Sequence, residues 1–120
     1  MYLEIFKLTV IFTFLDSIYL YLMKNNFFTM IRNIQHSNLE FALIPALFCY
    51  VFLIFLLYYF IILKKRPLYE AFFLGFAIYG VYETTNLAIF KKWSPIISLI
   101  DTIWGGILFY SSYLLFKLIK

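Results

Sequence analysis

Residues 41–63 read FALIPALFCYVFLIFLLYYFIIL, a run without one charged side chain. As an α-helix, such a run is long enough to cross a hydrocarbon core of about 30 Å. Three further apolar runs accompany it. Span one is read over residues 3–23, span two over 39–63, span three over 68–90 and span four over 95–118. Lipid offers no partners to unpaired backbone groups, so open strands are excluded and helices remain. The expected fold is all-α: a four-helix transmembrane bundle, one membrane domain over residues 1–120, with antiparallel neighbours joined by short loops.

The composition of the 120-residue chain agrees. Apolar residues make up 65% of it, aromatics 24% and charged residues 13%, with a mean hydropathy of +0.92. A soluble domain carries about 45–50% apolar and about 25% charged residues. A soluble chain of this length has no core large enough to hide so much apolar surface. Disorder is excluded too, because it requires low hydrophobicity and high charge.

The net charge is +4. The basic residues fall in the breaks between spans: Lys24, Arg32, Lys64, Lys65, Arg66, Lys91, Lys92, Lys117 and Lys120. Charges so placed anchor helix ends and meet anionic head groups. The expected partner is the lipid bilayer, and no nucleic-acid-binding motif is present. Four spans put both termini on one side. That side carries Lys7, Lys64, Lys65, Arg66, Lys117 and Lys120, against Lys24, Arg32, Lys91 and Lys92 on the other, which favours cytoplasmic termini. Tyr58, Tyr59, Tyr69 and Tyr113 are expected at the inner rim and Trp93 at the outer rim. Cys49 is the only cysteine. It rules out a disulfide framework and reads as an inert packing thiol. Span one lacks a strongly basic start and a small-residue cleavage site, and Asp16 interrupts it, so it reads as a span and not a cleaved leader.

Helix-start signals mark the boundaries. Ser37-Asn38-Leu39-Glu40 matches a capping box. Pro67 suits the first turn of span three, and Ser94-Pro95 reads as N-cap and first-turn proline of span four. Pro45 predicts a kink early in span two. In the first loop, residues 24–38, Phe27, Phe28, Ile31 and Ile34 recur at helical spacing. They form either a short interfacial helix over the bundle mouth or part of an ordinary polar loop.

Asp16, Glu83 and Asp101 fall inside spans, with no Lys, Arg or His inside a span to neutralise them. Ionisable residues are expensive there and mark functional sites by default. At 1.5 Å per residue they lie about 20, 22 and 25 Å from the inner face, a common height that points to one shared site. Helical spacing adds neighbours: Thr9, Thr13 and Ser17 on span one; Gly75, Tyr79, Tyr82 and Asn86 on span three; Ser98, Trp104, Gly105 and Ser112 on span four. Span two, with only Cys49 and Tyr50 in its middle, reads as a packing wall. Gly75, Gly105 and Gly106 would let backbones approach closely, and Ala71-x-x-x-Gly75 is a weak signal for a homo-oligomer.

The ligand or ion-binding candidates are thus Asp16, Tyr82, Glu83, Thr85, Asn86, Asp101 and Trp104. Several arrangements would make such a cluster tolerable. One acid holds a proton and shares hydrogen bonds with Asn86, Thr85 or a tyrosine. A divalent cation sits among the oxygens. Arg32 or His36 dips in from the first loop. Alternatively the acids clamp the helices and bind nothing. His36, the only histidine, lies in a polar loop and reads as a solvated surface residue. No nucleophile, zinc-protease or phosphate-cradling motif is present, so an enzyme is not the expected reading. A lipid-modifying activity, with one carboxylate as general base, is the weakest alternative. A small binding protein, a minimal transporter or channel subunit, stands against a structural subunit.

The stretch Ala77-Ile78-Tyr79-Gly80-Val81-Tyr82-Glu83-Thr84-Thr85-Asn86-Leu87-Ala88 resembles the Y-D-L-T-N-L-A motif of the domain of unknown function 2177 family of small membrane proteins. Trp93-Ser94-Pro95 and Asp101-Thr102-Ile103-Trp104-Gly105 are similar to its W-P and D-x-x-W-G motifs, Asp16 to its first-span aspartate, and Pro45–Tyr50 to its second-span start. Glu83 departs from the motif's Asp by one methylene, Thr84 replaces an apolar residue, and Tyr19 stands where tryptophan is common. The resemblance implies four helices and marks the same polar residues, but brings no activity with it.

Overall fold

The computed structural model describes residues 2–37 and 42–119. The chain forms helix α1 over Tyr2–Gln35, α2 over Leu43–Leu57 running directly into a π-helical turn at Tyr58–Ile62, α3 over Leu68–Ile89 and α4 over Pro95–Leu118. There is no strand among the described residues. The expected capping box at residues 37–40 and the expected start of span two at Leu39 reach outside the described residues.

Local chemistry accounts for the ends. The Ser94 hydroxyl accepts from the Ile97 amide at 3.2 Å, and Pro95 follows in the first turn. Pro67 is itself the N-cap of α3, one residue earlier than expected. Pro45 lies in the first turn of α2, where its missing N–H costs no helical hydrogen bond, so it starts the helix and does not kink it. The irregularity of this segment comes later, in the π-helical turn. His36 and Lys65 adopt left-handed backbone, with φ of 58° and 52°, and end their helices there. In the turn after α2, Arg66 pairs with Glu70 at 2.8 Å. That hydrogen-bonded carboxylate pushes the exposed guanidinium even higher than its ordinary range.

Residues 24–35, read from sequence as a loop or a separate interfacial helix, continue α1 unbroken. Three helical segments, Tyr2–Gln35, Leu43–Ile62 and Pro95–Leu118, are long and apolar enough to cross a membrane. Helix α3 has the length, at 22 residues, but is more polar. Glu70, Glu83, Thr84, Thr85 and Asn86 all lie on it.

The tightest packing joins α3 to α4, while α1 lies on α4 and α2 touches α1. Glycines make the first contact. A Cβ on Gly75 would fall 2.1 Å from the Gly105 carbonyl oxygen, and one on Gly105 would fall 2.4 Å from the Tyr79 ring. Ala71 and Gly75 are both buried, so the small-residue pair weighed for a homo-oligomer is used inside the chain. Along α1 and α4, Lys7 meets Ile119, Asp16 meets Trp104, Tyr19 meets Asp101 and Met30 meets Ser94.

An apolar core fills the half of the molecule nearer Lys7 and Tyr113. It is built on Leu8, Phe12, Leu57, Leu108 and Phe109, with Phe12 edge-on to Phe109 at 5.6 Å. Tyr58 and Tyr113, expected at a wet rim, are buried there. Their hydroxyls donate to Glu4 and to the Arg66 carbonyl, both at 2.9 Å. The outer faces are apolar: Leu47, Phe48, Val51, Phe52 and Phe55 of α2 are all exposed, as suits a surface bathed in lipid chains. Cys49 is exposed on α2 and is not the buried packing thiol its apolar run suggests.

Candidate functional site

In the other half lie the acids. Asp16 is 5% exposed, Asp101 6% and Glu83 0%. Each meets an aromatic donor from another segment. The Trp104 indole donates to Asp16 Oδ1 at 3.0 Å, and the Tyr50 hydroxyl donates to Asp16 Oδ2. The Tyr19 hydroxyl donates to Asp101 Oδ1 at 2.9 Å. The Trp93 indole donates to Glu83 Oε1 at 2.7 Å.

Helix geometry explains the exchange between α1 and α4. Asp16 and Tyr19 are three residues apart, as are Asp101 and Trp104, so each helix shows an acid and a donor on one face. The rings of Tyr19 and Trp104 stack 4.7 Å apart at 6° between planes. Each ring's donor reaches the other helix's acid.

Glu83 is bound differently. Its helix packs on α4 through Gly75 and Gly105, which brings its carboxyl within hydrogen-bonding reach of Asp101. Its Oε2 is buried and meets no donor among the described residues. The Asn86 amide nitrogen, one turn along α3, is also buried without a partner. A buried polar atom left unpaired is costly and rare, and calls for an explanation.

Of the candidates from sequence, Asp16, Glu83, Asp101 and Trp104 come together, and Asn86 lies at their edge. Tyr82 does not join them: it is 57% exposed, turned outward on α3. Thr85 is exposed, and its hydroxyl donates to the Val81 carbonyl of its own helix at 2.6 Å. Neither Arg32 nor His36 dips in; both are exposed. Among the described residues, no three His, Cys, Asp or Glu side chains have the geometry to hold a metal ion.

Sequence reading missed three of the four aromatic donors. Tyr50 sits on the segment read as a packing wall. Trp93, expected at the rim, is 7% exposed and turned onto Glu83. Tyr19 stands out in the sequence only as a departure from a motif. The i, i+3 spacing of Asp16 to Tyr19 was the available signal. Nothing local pointed to Tyr50 or Trp93.

Long apolar helices enclosing a buried polar cluster define a helical membrane protein. The chain matches the family model described as "Predicted membrane protein (DUF2177)" over residues 1–115 and belongs to that family. No curated protein and no solved structure matches it.

Proposed function

We propose that this protein is a four-span membrane protein, a single antiparallel bundle, that binds a small cationic ligand between α1, α3 and α4. The family and three apolar helices support the membrane setting. Helix α3 counts as the fourth span because its polar side chain Glu83 is turned inward and its outer face carries Phe73, Phe76 and Val81. The pairs along α1 and α4, rising in one helix as they fall in the other, support the antiparallel order.

One observation carries the binding reading: Glu83, within hydrogen-bonding reach of a second carboxyl, has a fully buried Oε2 that lacks a donor among the described residues. A clamp alone would satisfy every oxygen it buries, since interhelix hydrogen bonds in membranes average only about 0.6 kcal/mol. The clamp is the second reading, favoured by the three aromatic donors, Tyr19, Tyr50 and Trp104, that already join helices.

Purified protein in lipid nanodiscs separates the two. Native mass spectrometry would detect a retained ion or lipid, and vesicles under an imposed pH gradient would report proton flux. Either signal in wild type, lost in Glu83→Gln and Asp101→Asn, supports binding. Neither signal, with variants that only melt earlier, leaves the clamp.

A further inference from the structure

The binding reading does not name the particle, but the directions of the hydrogen bonds around the three acids narrow it. Asp16 has a donor on each oxygen, Trp104 on one and Tyr50 on the other. Glu83 and Asp101 are each half-satisfied, by Trp93 and Tyr19 respectively, and turn toward each other. Ionised carboxylates only accept, so two of them within hydrogen-bonding reach form a bond only with a proton between them. Without it, two like charges lie side by side in a dry site.

Among the described residues, no positive charge is found acting on Asp101. Besides Glu83, the titratable groups acting on Asp101 are Asp16 and Tyr19 from α1, and Tyr79 and Tyr82 of α3 lie within electrostatic range of it. All are acids or neutral hydroxyls.

We infer that Glu83 and Asp101 share one proton, and that this proton is the ligand of the site. Asp16, held by Tyr50 and Trp104, is the fixed neighbour and not the carrier. The inference rests on the binding reading and deepens it.

Infrared spectroscopy of the full chain in nanodiscs tests it. The chain has two aspartates, Asp16 and Asp101, so carboxyl labelling with carbon-13 separates residue types without mutation. At neutral pH a protonated-carboxyl C=O band is expected, and it should shift on labelling either aspartate or glutamate. It should vanish in Glu83→Gln and in Asp101→Asn and survive in Asp16→Asn. Absence of the band in the unmodified chain overturns the inference, as does a band moved by only one label. These two labelling outcomes decide the matter even if a variant fails to fold. A retained metal ion with no band would leave the binding reading standing and remove the proton. No band, no ion and no flux would remove both.

Discussion

Tyr19 of α1 and Trp104 of α4 stack face to face, and each donates to the acid that belongs to the other's helix. The stack and the crossed hydrogen bonds are one unit: the rings cannot separate without freeing two buried carboxyls. A buried acceptor that loses its donor costs about 1–3 kcal/mol, and more if charged. Tyr19→Phe keeps the ring and removes only the hydroxyl. It is expected to lower stability by about 1–3 kcal/mol by this reasoning. Trp104→Phe should cost less at its acid, because Tyr50 still serves Asp16. Thermal unfolding of the two variants in detergent checks the order. Equal, negligible shifts would mean the crossed bonds contribute nothing.

The glycine contact between α3 and α4 sets how near Glu83 comes to Asp101. A methyl group on Gly75 has nowhere to go but into the Gly105 backbone. Gly75→Ala should therefore destabilise by about 1–3 kcal/mol through overpacking, and weaken any coupling between the two acids. Gly80 is the control. Its added Cβ would meet only Thr102 Cγ2 at 3.5 Å, an ordinary contact. Gly80→Ala should hold or raise the melting temperature, because alanine is the better helix former.

Among the described residues, Trp93 supplies the one donor to Glu83. Trp93→Phe removes the indole N–H and leaves the glutamate without a partner on either oxygen, apart from its contact with Asp101. A double-mutant cycle with Glu83→Gln should show a coupling energy of about 0.5–3 kcal/mol, the range for directly bonded neighbours. Additive losses would place Trp93 in the packing and not in the site.

Cys49 reports on the membrane setting of α2. Its thiol is exposed on the protein surface, amid exposed Leu47, Phe48, Val51 and Phe52. If that surface is lipid-facing, a charged reagent does not reach it, because a charge is expensive in the bilayer interior. A charged, water-soluble maleimide should leave Cys49 unmodified in nanodiscs and modify it fully in denaturing detergent. Rapid labelling in nanodiscs would put the middle of α2 in water and contradict the four-span arrangement.

Sequence alone determined the class of the molecule, the number of helices and the bounds of the last two, Leu68–Ile89 and Pro95–Leu118. Apolar runs of spanning length, and prolines and a serine at helix starts, are local signals that lipid makes strict. It also singled out the three acids, because a charge in an apolar run is conspicuous wherever its neighbours lie. Only tertiary structure decided what each acid touches. Tyr50, Trp93 and Tyr19 looked like ordinary apolar or rim residues, since an aromatic side chain reads the same whether it meets lipid or a carboxylate. Their partners lie 34, 10 and 82 residues away in the chain, beyond any periodicity. Tertiary structure likewise turned Tyr82 and Thr85 outward. It also carried α1 through residues 24–35, whose polar breaks suggested a loop. Helix periodicity assigns residues to faces; which face meets which neighbour depends on packing, here on glycines that bring α3 onto α4 and on a Tyr–Trp stack that sets α1 against them.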